Sequence, residues 1–471
     1  MNRSLLNRIL LKRPIPLPGQ DEPDKPHLKR ILGTADLILM GLGVTIGTGI
    51  FVISGVASSI AGPGIIVSFL IASLCCLCVA LCYAELAAMI PFTGSAYTYT
   101  YTICGEIFAW IIGWSMMLEL TIAVSVIASG WSDYICDIFL SAGISLPAAI
   151  THDPGDGGLI NLPAMGIIIL LAFLLLQGVS DSARINGILV IIKLGVLAIF
   201  FWLGFHAINL ENYTPLFPTG IHGVFSGAGI IIISYLGFEM IATSAEEVAC
   251  PQKDLPRGLI WTIAICTVLY ILTGLVLTGV LPYTSYEHIA SPITFALNHA
   301  GFSQVSGVIA AGALIGITSG LLVSLYGGSR LVYALSRDGL LPPSLSLLND
   351  KGIPVRATLG IAVISAVLGG MTSIDLLSEL FNIGTLVAFI SVASGLLIMR
   401  RSSPDRFRPF HCPLVPFIPI LAILTCLFLI LSLQFRTIIW FFIWVGTGLV
   451  IYGIYGLKMS NLGRDTSPKN E

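Results

Sequence analysis

The chain has 471 residues, of which 56% are hydrophobic and only 10% charged, and its mean hydropathy is +0.94. Soluble domains carry about 25% charged residues, so this composition excludes a soluble globular protein. The net charge of -2 gives no reason to expect a nucleic-acid partner. We therefore predict an all-α integral membrane protein that lies in the lipid bilayer.

The first 33 residues are polar and rich in proline, and they lack the apolar core and cleavage site of a signal peptide. We interpret residues 1–33 as a cytosolic tail. A membrane-spanning helix needs about 20 apolar residues. On that basis the sequence predicts twelve spans, near 34–57, 64–90, 105–129, 161–178, 185–206, 223–245, 258–281, 306–334, 357–371, 375–399, 413–433 and 437–457.

The distribution of positive charge tests this count of spans. With both termini in the cytosol, all but two of the 23 lysine and arginine residues fall on the cytosolic side. The two exceptions are Arg436, on the outer side, and Lys193, inside the fifth span. This asymmetry follows the positive-inside rule. It predicts a multi-pass protein of the cytoplasmic membrane with cytosolic termini and a C-terminal tail at 458–471.

The first span contains the glycine-rich stretch GLGVTIGTGIF, from Gly41 to Phe51. One interpretation is close helix packing, because Gly43 and Gly47 have small-residue spacing. The other is a broken helix, whose ends present backbone N–H and C=O groups to a ligand. The sixth span has its own interruption, SYLGFE, at 234–239. Paired interruptions in two halves of a transporter indicate its binding site, so we favour broken helices.

Four ionisable residues belong to the interrupted region. We interpret Asp36, near the inner end of the first span, as a helix cap. The other three are Glu119 in the third span, Lys193 in the fifth and Glu239 in the sixth. A charge at mid-bilayer costs at least ~2.5–3.5 kcal/mol, so each should face a partner or a cavity. Glu119 and Glu239 are either structural hydrogen-bonding groups or functional ones. Lys193 lies roughly 12 Å along its helix, at 1.5 Å per residue, which matches the depth of the first interruption.

The segments that link the spans carry a resemblance to a known family. They are YAELAAMIPFTGSAYTYTYTICGEIFAWIIGW after span two, QGVSDSARINGILVIIKLG at span five, GFEMIATSAEEVACPQKDLPRGL at span six and SRLVYALSRDGLLP at span eight. Together they resemble the amino acid–polyamine–organocation superfamily. They are most similar to its cationic amino acid transporter branch and related bacterial permeases. The resemblance covers about residues 30–460.

This resemblance implies a leucine-transporter-like fold with a five-plus-five inverted repeat and broken helices 1 and 6. The repeats would be 34–206 and 207–400, followed by helices 11 and 12 at 401–457. It also implies a secondary active transporter of L-amino acids that works by alternating access. The substrate carboxylate would meet the first interruption and the α-ammonium the second. The implied residues are Thr45, Ile46, Gly47, Thr48 and Gly49 in the first and the carbonyls of Ile233, Ser234 and Leu236 in the second.

Lys193 matches the span-five lysine that proton-coupled members of the superfamily carry, which implies proton symport. Thr318 and Ser319 fall where sodium-coupled relatives supply hydroxyl ligands, so sodium coupling is an alternative. We weigh it lower because one site rarely holds an ammonium and a metal cation together. Ile233 replaces an aromatic residue that covers the substrate in many relatives. Tyr235 and Phe238 are the candidates to replace it.

Other functions are considered beside proton symport. An uncoupled exchanger or uniporter of cationic amino acids is a second alternative, and a non-transporting membrane sensor is a third. The sequence has no HExxH, GxSxG or Walker motif, so we do not expect an enzyme. We expect no metal or organic cofactor. The amino acids carried, the oligomeric state and any small membrane subunit are not readable from the sequence.

Overall fold

The computed structural model describes residues 11–14, 28, 30–47, 49–141, 143–287, 289, 291–372 and 374–462. Within these residues the chain forms helices and no β-strand, apart from one isolated bridge between Leu32 and Val248. The α-helices are α1 (Thr34–Thr45), α2 (Ser54–Ala61), α3 (Ile65–Met89), α4 (Ala96–Ile103), α5 (Glu106–Ser141), α6 (Ala148–Thr151), α7 (Leu162–Leu175), α8 (Val179–His206), α9 (Gly220–Ile231), α10 (Met240–Thr243), α11 (Pro251–Val280), α12 (Pro292–His299), α13 (Ser303–Arg337), α14 (Val355–Met371), α15 (Ile374–Ser402), α16 (Phe417–Ser432), α17 (Phe435–Ile451) and α18 (Leu457–Met459). Short 3-10 turns lie at Gly62–Gly64, Pro154–Asp156, Leu210–Tyr213, Ile232–Tyr235, Ala245–Glu247, Tyr283–Tyr286 and Pro343–Ser346, and π-turns at Gly49–Ile53 and Tyr452–Gly456.

The length and composition of these helices suit a membrane protein. In the described part of the chain, seven helical stretches are long and apolar enough to cross a membrane. Five more, α1, α7, α9, α14 and α16, are apolar helices of 10–17 residues. The prediction of an all-helical membrane protein is therefore confirmed, whereas the twelve spans and the inverted repeat stay predictions.

The helix α5 is longer than the sequence indicates, since the third span is predicted to end at residue 129. Polar residues such as Ser129 and Ser132 interrupt the apolar pattern there. Their hydroxyls instead bond to neighbouring segments, at 3.1 Å to Gly369 O and 2.6 Å to Asn161 Oδ1. Because the hydroxyls of Ser129 and Ser132 have hydrogen-bond partners in other segments, helix α5 continues past residue 129.

The start of α1 is attached to the chain that follows α10. The N–H groups of Ile31 and Leu32 both donate to Glu247 O at 2.9 Å, and Ala249 N–H donates to Leu32 O at 2.9 Å. Asp36 caps α1 by accepting the N–H of Gly33 at 2.9 Å.

Ion pairs gather at the end of the bundle where α3, α13 and α15 finish, which we call the charged end. The pairs are Glu247 with Arg330 at 2.7 Å, Glu246 with Arg337 at 2.8 Å, and Glu85 with Arg400 at 2.6 Å. Loss of one partner in such a pair leaves an uncompensated charge. Intact, the first two pairs connect α13 to the residues after α10, and the third connects α3 to α15.

Candidate binding site

The first interruption lies between α1 and α2. Helix α1 ends at Thr45, Ile46 leaves the helical conformation with φ -85° and ψ 84°, and helical structure resumes at Gly49. The interruption falls within the glycine-rich stretch that predicts it, and Thr48 lies outside the described residues. The N–H groups at the start of a helix have no partner inside that helix. The N–H groups of Ile50 and Phe51 both donate to Gly47 O at 3.2 Å, so an anion at this helix start would meet the positive end of the helix and compete with Gly47 O for these donors.

The second interruption follows α9. The 3-10 turn Ile232–Tyr235 leads to Gly237, whose φ of +107° favours glycine, and α10 starts at Met240. A Cβ atom at Gly237 would lie 2.1 Å from Val44 Cγ1, so no other residue fits without displacement of α1. The Gly237 N–H donates to Glu239 Oε2 at 2.9 Å.

The two interruptions contact each other directly. A Cβ atom at Gly49 would lie 2.5 Å from the Cβ of Ser234, so glycine permits the close approach. The Tyr270 hydroxyl lies 2.6 Å from Thr45 O and 2.7 Å from Ser234 O, and it therefore bridges the two segments. The sequence analysis missed Tyr270. The sequence feature that could have identified it is a tyrosine in an apolar helix. A buried phenol requires a polar partner.

Lys193 extends from α8 to the first interruption and is fully buried. Its ammonium donates to Gly43 O at 2.9 Å, to Ile46 O at 2.7 Å and to Ser319 Oγ at 2.8 Å. These bonds use all three donors of the group. The C-terminal end of a helix carries partial negative charge on its carbonyls, so a cation stabilises the end of α1.

The two neighbouring hydroxyls predicted at span eight, those of Thr318 and Ser319, have different hydrogen-bond partners. Ser319 accepts from Lys193 and faces Gly43, whereas Thr318 accepts a bond of 2.9 Å from Trp131 Nε1. Successive helical residues point about 100° apart, so one helix position faces the lysine and its neighbour does not.

Glu119 and Glu239 meet beside the second interruption, and each is 1% exposed. Glu119 Oε1 accepts a bond of 2.6 Å from Thr385 Oγ1, and the two carboxyl groups interact with each other. We call Glu119 and Glu239 the carboxyl pair.

Several polar atoms at the interruptions have no hydrogen-bond partner among the described residues. They are Thr45 Oγ1, Ser234 Oγ and Glu119 Oε2. A buried polar group left without a partner costs roughly 1–3 kcal/mol. Their contact with a ligand between the interruptions stays a prediction.

The remaining predicted residues have packing contacts. Leu236 is buried, Tyr235 packs edge-on against Tyr270 with ring centroids 4.9 Å apart, and Phe238 packs against Phe389 at 5.4 Å. Ile233 belongs to the 3-10 turn, and its side chain lies outside the described residues. The described residues bring together no group of three His, Cys, Asp or Glu side chains that could hold a metal ion.

Comparison with known proteins identifies similar chains. A family model for amino acid permeases matches residues 32–457. The chain is 43% identical to a branched-chain amino acid permease of Bacillus subtilis, over 93% of this chain and 95% of the relative. It is 39% identical to a methylthioribose transporter of Bacillus subtilis, over 98% of this chain and 100% of the relative. It is 34% identical to a vacuolar cationic amino acid transporter of Arabidopsis thaliana, over 81% of this chain and 65% of the relative.

Proposed function

Because the chain belongs to the amino acid permease family, we propose that it carries an L-amino acid across the cytoplasmic membrane together with a proton, by alternating access. The family assigns it to transport proteins rather than enzymes. One observation carries the proton coupling. The buried ammonium of Lys193 donates all three of its hydrogen bonds, two of them to carbonyls at the interruption of the first helix.

The proposed architecture has twelve spans with both termini in the cytosol, so that the charged end faces the cytosol. Spans one to five occupy 34–206, spans six to ten occupy 207–400, and two further helices occupy 401–457. The helices observed within each predicted span support this arrangement. In this scheme the first, second, sixth and seventh spans rock against the third, fourth, eighth and ninth.

The substrate binds between the two interruptions in this proposal. Its carboxylate accepts from N–H groups of the segment that begins at Gly49, because a helix N-terminus attracts anions. Its α-ammonium meets the carbonyls of the second interruption. The Ser234 carbonyl keeps a second lone pair beside its bond from Tyr270. The hydroxyls of Thr45 and Ser234 provide further contacts.

Lys193 provides the coupling. When protonated, its ammonium holds the carbonyls of Gly43 and Ile46, which fixes the first interruption in the shape that binds the carboxylate. Loss of the proton weakens that hold, and the interruption can then rearrange and release the substrate. A sodium ion at Ser319 would have to bind beside the fixed positive charge of Lys193, which is electrostatically unfavourable.

The names of the relatives guide the choice of test compounds. The compounds in these names are branched-chain amino acids, cationic amino acids and methylthioribose. A thermal-shift screen of the purified protein with the twenty amino acids and methylthioribose identifies the ligand. Stabilisation by an amino acid is expected. Stabilisation by methylthioribose alone would contradict the proposed substrate class.

Uptake of that ligand into proteoliposomes tests the coupling. An imposed pH gradient, acidic outside, should drive accumulation, and Lys193→Ala should abolish it. Lys351→Ala is the matched control, since that lysine is exposed and its ammonium donates to Gln177 O, at 2.9 Å, away from the interruptions. Full accumulation by Lys193→Ala, or accumulation by the native protein on a sodium gradient alone, would overturn proton coupling.

A further inference from the structure

The half of α1 nearest the charged end packs closely against α11. The Thr34 hydroxyl donates to Asp254 Oδ1. A Cβ atom at Gly258 would lie 2.9 Å from Leu37 Cβ, so the two helices approach at a glycine. Backbone bonds also attach the residues just before α1 to the chain between α10 and α11. On this side α1 is therefore held by backbone bonds and by close helix packing.

The opposite side of the same half faces α8 and α13, and the packing there is looser. A cavity of about 20 Å³ lies between these helices. Leu32 and Met40 line it on the side of α1, and Ser182, Asn186 and Val323 are among the residues that line it on the other side. Roughly 10–15 Å³ is enough for one water molecule, and few voids of this size occur in a packed interior.

Asn186 crosses this looser interface. Its side chain is buried, and its Nδ2 donates to Leu39 O of α1 at 3.1 Å. A Cβ atom at Gly43 would lie 2.8 Å from Asn186 Oδ1, so glycine permits the amide to approach α1 closely. Asn186 precedes Lys193 by seven residues, which places both on one face of α8. Two side chains from this face therefore hold α1, Lys193 at the interruption and Asn186 nearer the charged end.

The contact made by Asn186 is easily reversed. Asn186 Oδ1 has no hydrogen-bond partner among the described residues, so the bond to Leu39 O is a single contact. One such bond contributes about 0.5–1.5 kcal/mol net. In this half of α1, separation from α8 breaks that bond and widens a cavity that already exists. Separation from α11 would break backbone bonds and close packing.

We propose that Asn186 is a positioning residue that latches α1 to α8 while the binding site is closed to the cytosol. When the latch opens, α1 moves away from α8 and α13, stays attached to α11, and the cavity widens into the exit for the substrate. The ion pair of Glu247 and Arg330, at 2.7 Å, joins the residues after α10 to α13 and opens in the same motion. This inference rests on the alternating access and the orientation of the proposed function.

Thiol labelling tests the latch. Met40→Cys places a thiol in the cavity wall, and a charged methanethiosulfonate is added to inside-out vesicles, which expose the cytosolic face. Labelling of the peptide that contains residue 40 is compared in Met40→Cys alone, with Asn186→Leu and with Ser182→Ala. Leucine has as many side-chain heavy atoms as asparagine but forms no hydrogen bond. Ser182 is the matched control, because it lines the same cavity but donates to Gly178 O, one turn earlier, at 2.8 Å.

Asn186→Leu should raise the labelling rate about fivefold, the equivalent of a lost bond of about 1 kcal/mol, and Ser182→Ala should leave it unchanged. No rise in Asn186→Leu, or an equal rise in Ser182→Ala, would overturn the latch. Counterflow by the native protein separates the two proposals. If counterflow is present and Asn186→Leu does not alter labelling, the latch alone fails. If counterflow is absent, the proposed transport fails and the latch fails with it.

Paired cysteines test which side of α1 opens. Leu39→Cys with Gly187→Cys ties α1 to α8, since a Cβ atom at Gly187 would lie 3.3 Å from Leu39 Cδ1. Thr34→Cys with Asp254→Cys ties α1 to α11. A short bifunctional thiosulfonate should abolish counterflow in the first pair, reversibly on reduction, and leave it unchanged in the second. The native protein, whose Cys250 is exposed, is the control for the reagent. An equal block in both pairs, or a block in the second pair alone, would overturn the proposed motion.

Discussion

The two helix interruptions are close neighbours, but they are stabilised in different ways. At the first, a buried cation donates to Gly43 O, Ile46 O and Ser319 Oγ, so all of its donors are used. At the second, the buried groups are acids. Glu239 accepts the backbone N–H of Gly237, and one oxygen of Glu119 has no hydrogen-bond partner among the described residues.

A side chain from a different helix therefore holds the backbone of the first interruption, whereas a residue of the second interruption holds its own backbone. Lys193 reaches in from another helix, and its ammonium donates to the carbonyls of Gly43 in α1 and of Ile46 just after it. The carboxyl pair shapes the second interruption from within, through Glu239, and its partner Glu119 is held by the side chain of Thr385. A change at Lys193 should therefore alter the shape of an interruption. A change at Glu119 should leave the shape intact.

The largest effect is expected at Gly237, where the second interruption packs closely against Val44 of α1. Gly237→Ala would introduce a Cβ atom 2.1 Å from Val44 Cγ1 at a φ of +107°, at a cost of ~1–3 kcal/mol for the backbone alone. We expect loss of the ligand-induced thermal shift. Gly229→Ala is the control, because its Cβ atom would meet nothing within 4 Å. Normal binding by Gly237→Ala would show that contact between the interruptions is not required.

Tyr270→Phe removes the hydroxyl that bridges them. The carbonyls of Thr45 and Ser234 would lose a donor, and a lost hydrogen bond in a buried site costs ~1–3 kcal/mol. We expect ligand affinity to fall about tenfold, the equivalent of 1.4 kcal/mol, by isothermal titration. Tyr213→Phe, which loses a bond of 2.8 Å to Leu275 O outside the site, should bind normally. Equal ligand affinities for the native protein, Tyr270→Phe and Tyr213→Phe would refute the bridging role of the Tyr270 hydroxyl.

Ser319→Ala and Thr318→Ala test whether only one member of the hydroxyl pair serves Lys193. Loss of Ser319 removes one of three acceptors from the ammonium, and we expect accumulation on a pH gradient to fall about fivefold, a cost near 1 kcal/mol. Loss of Thr318 removes the acceptor of Trp131 and should leave coupling unchanged. A larger fall in accumulation for Thr318→Ala than for Ser319→Ala would indicate that Thr318 faces the coupling site.

Glu119→Gln should have the smallest effect on substrate exchange. The amide oxygen can still accept the bond from Thr385, so the contact that holds this side chain survives. Counterflow should therefore stay within about threefold of native, because a surviving hydrogen bond leaves little free-energy difference. A complete loss of counterflow would mean that Glu119 binds the substrate as a charged group.

Family and fold class were readable from the sequence. The linking segments predicted the superfamily, and the match over residues 32–457 confirms it. Lys193 and the glycine-rich stretch were visible because both oppose the apolar pattern of a membrane helix. Their roles in binding and coupling stay predictions.

Other features depend on packing in three dimensions. Tyr270 looks like an ordinary aromatic residue in a membrane helix until its helix lies against both interruptions. Thr318 and Ser319 are neighbours in sequence but face different partners, which composition does not indicate.

The attachment of the N-terminal stretch to the chain after α10 has a further consequence. The bonds among Leu32, Glu247 and Ala249 involve only backbone atoms. Substitution of the exposed side chain of Ala249 leaves these donors and acceptors in place, whereas Leu32 is buried and Glu247 also pairs with Arg330. Proline at 32 or 249 removes an N–H, and insertion of one residue shifts the register. The backbone bonds of this joint are therefore vulnerable to changes in chain length and to proline even where the side chain itself is free to vary.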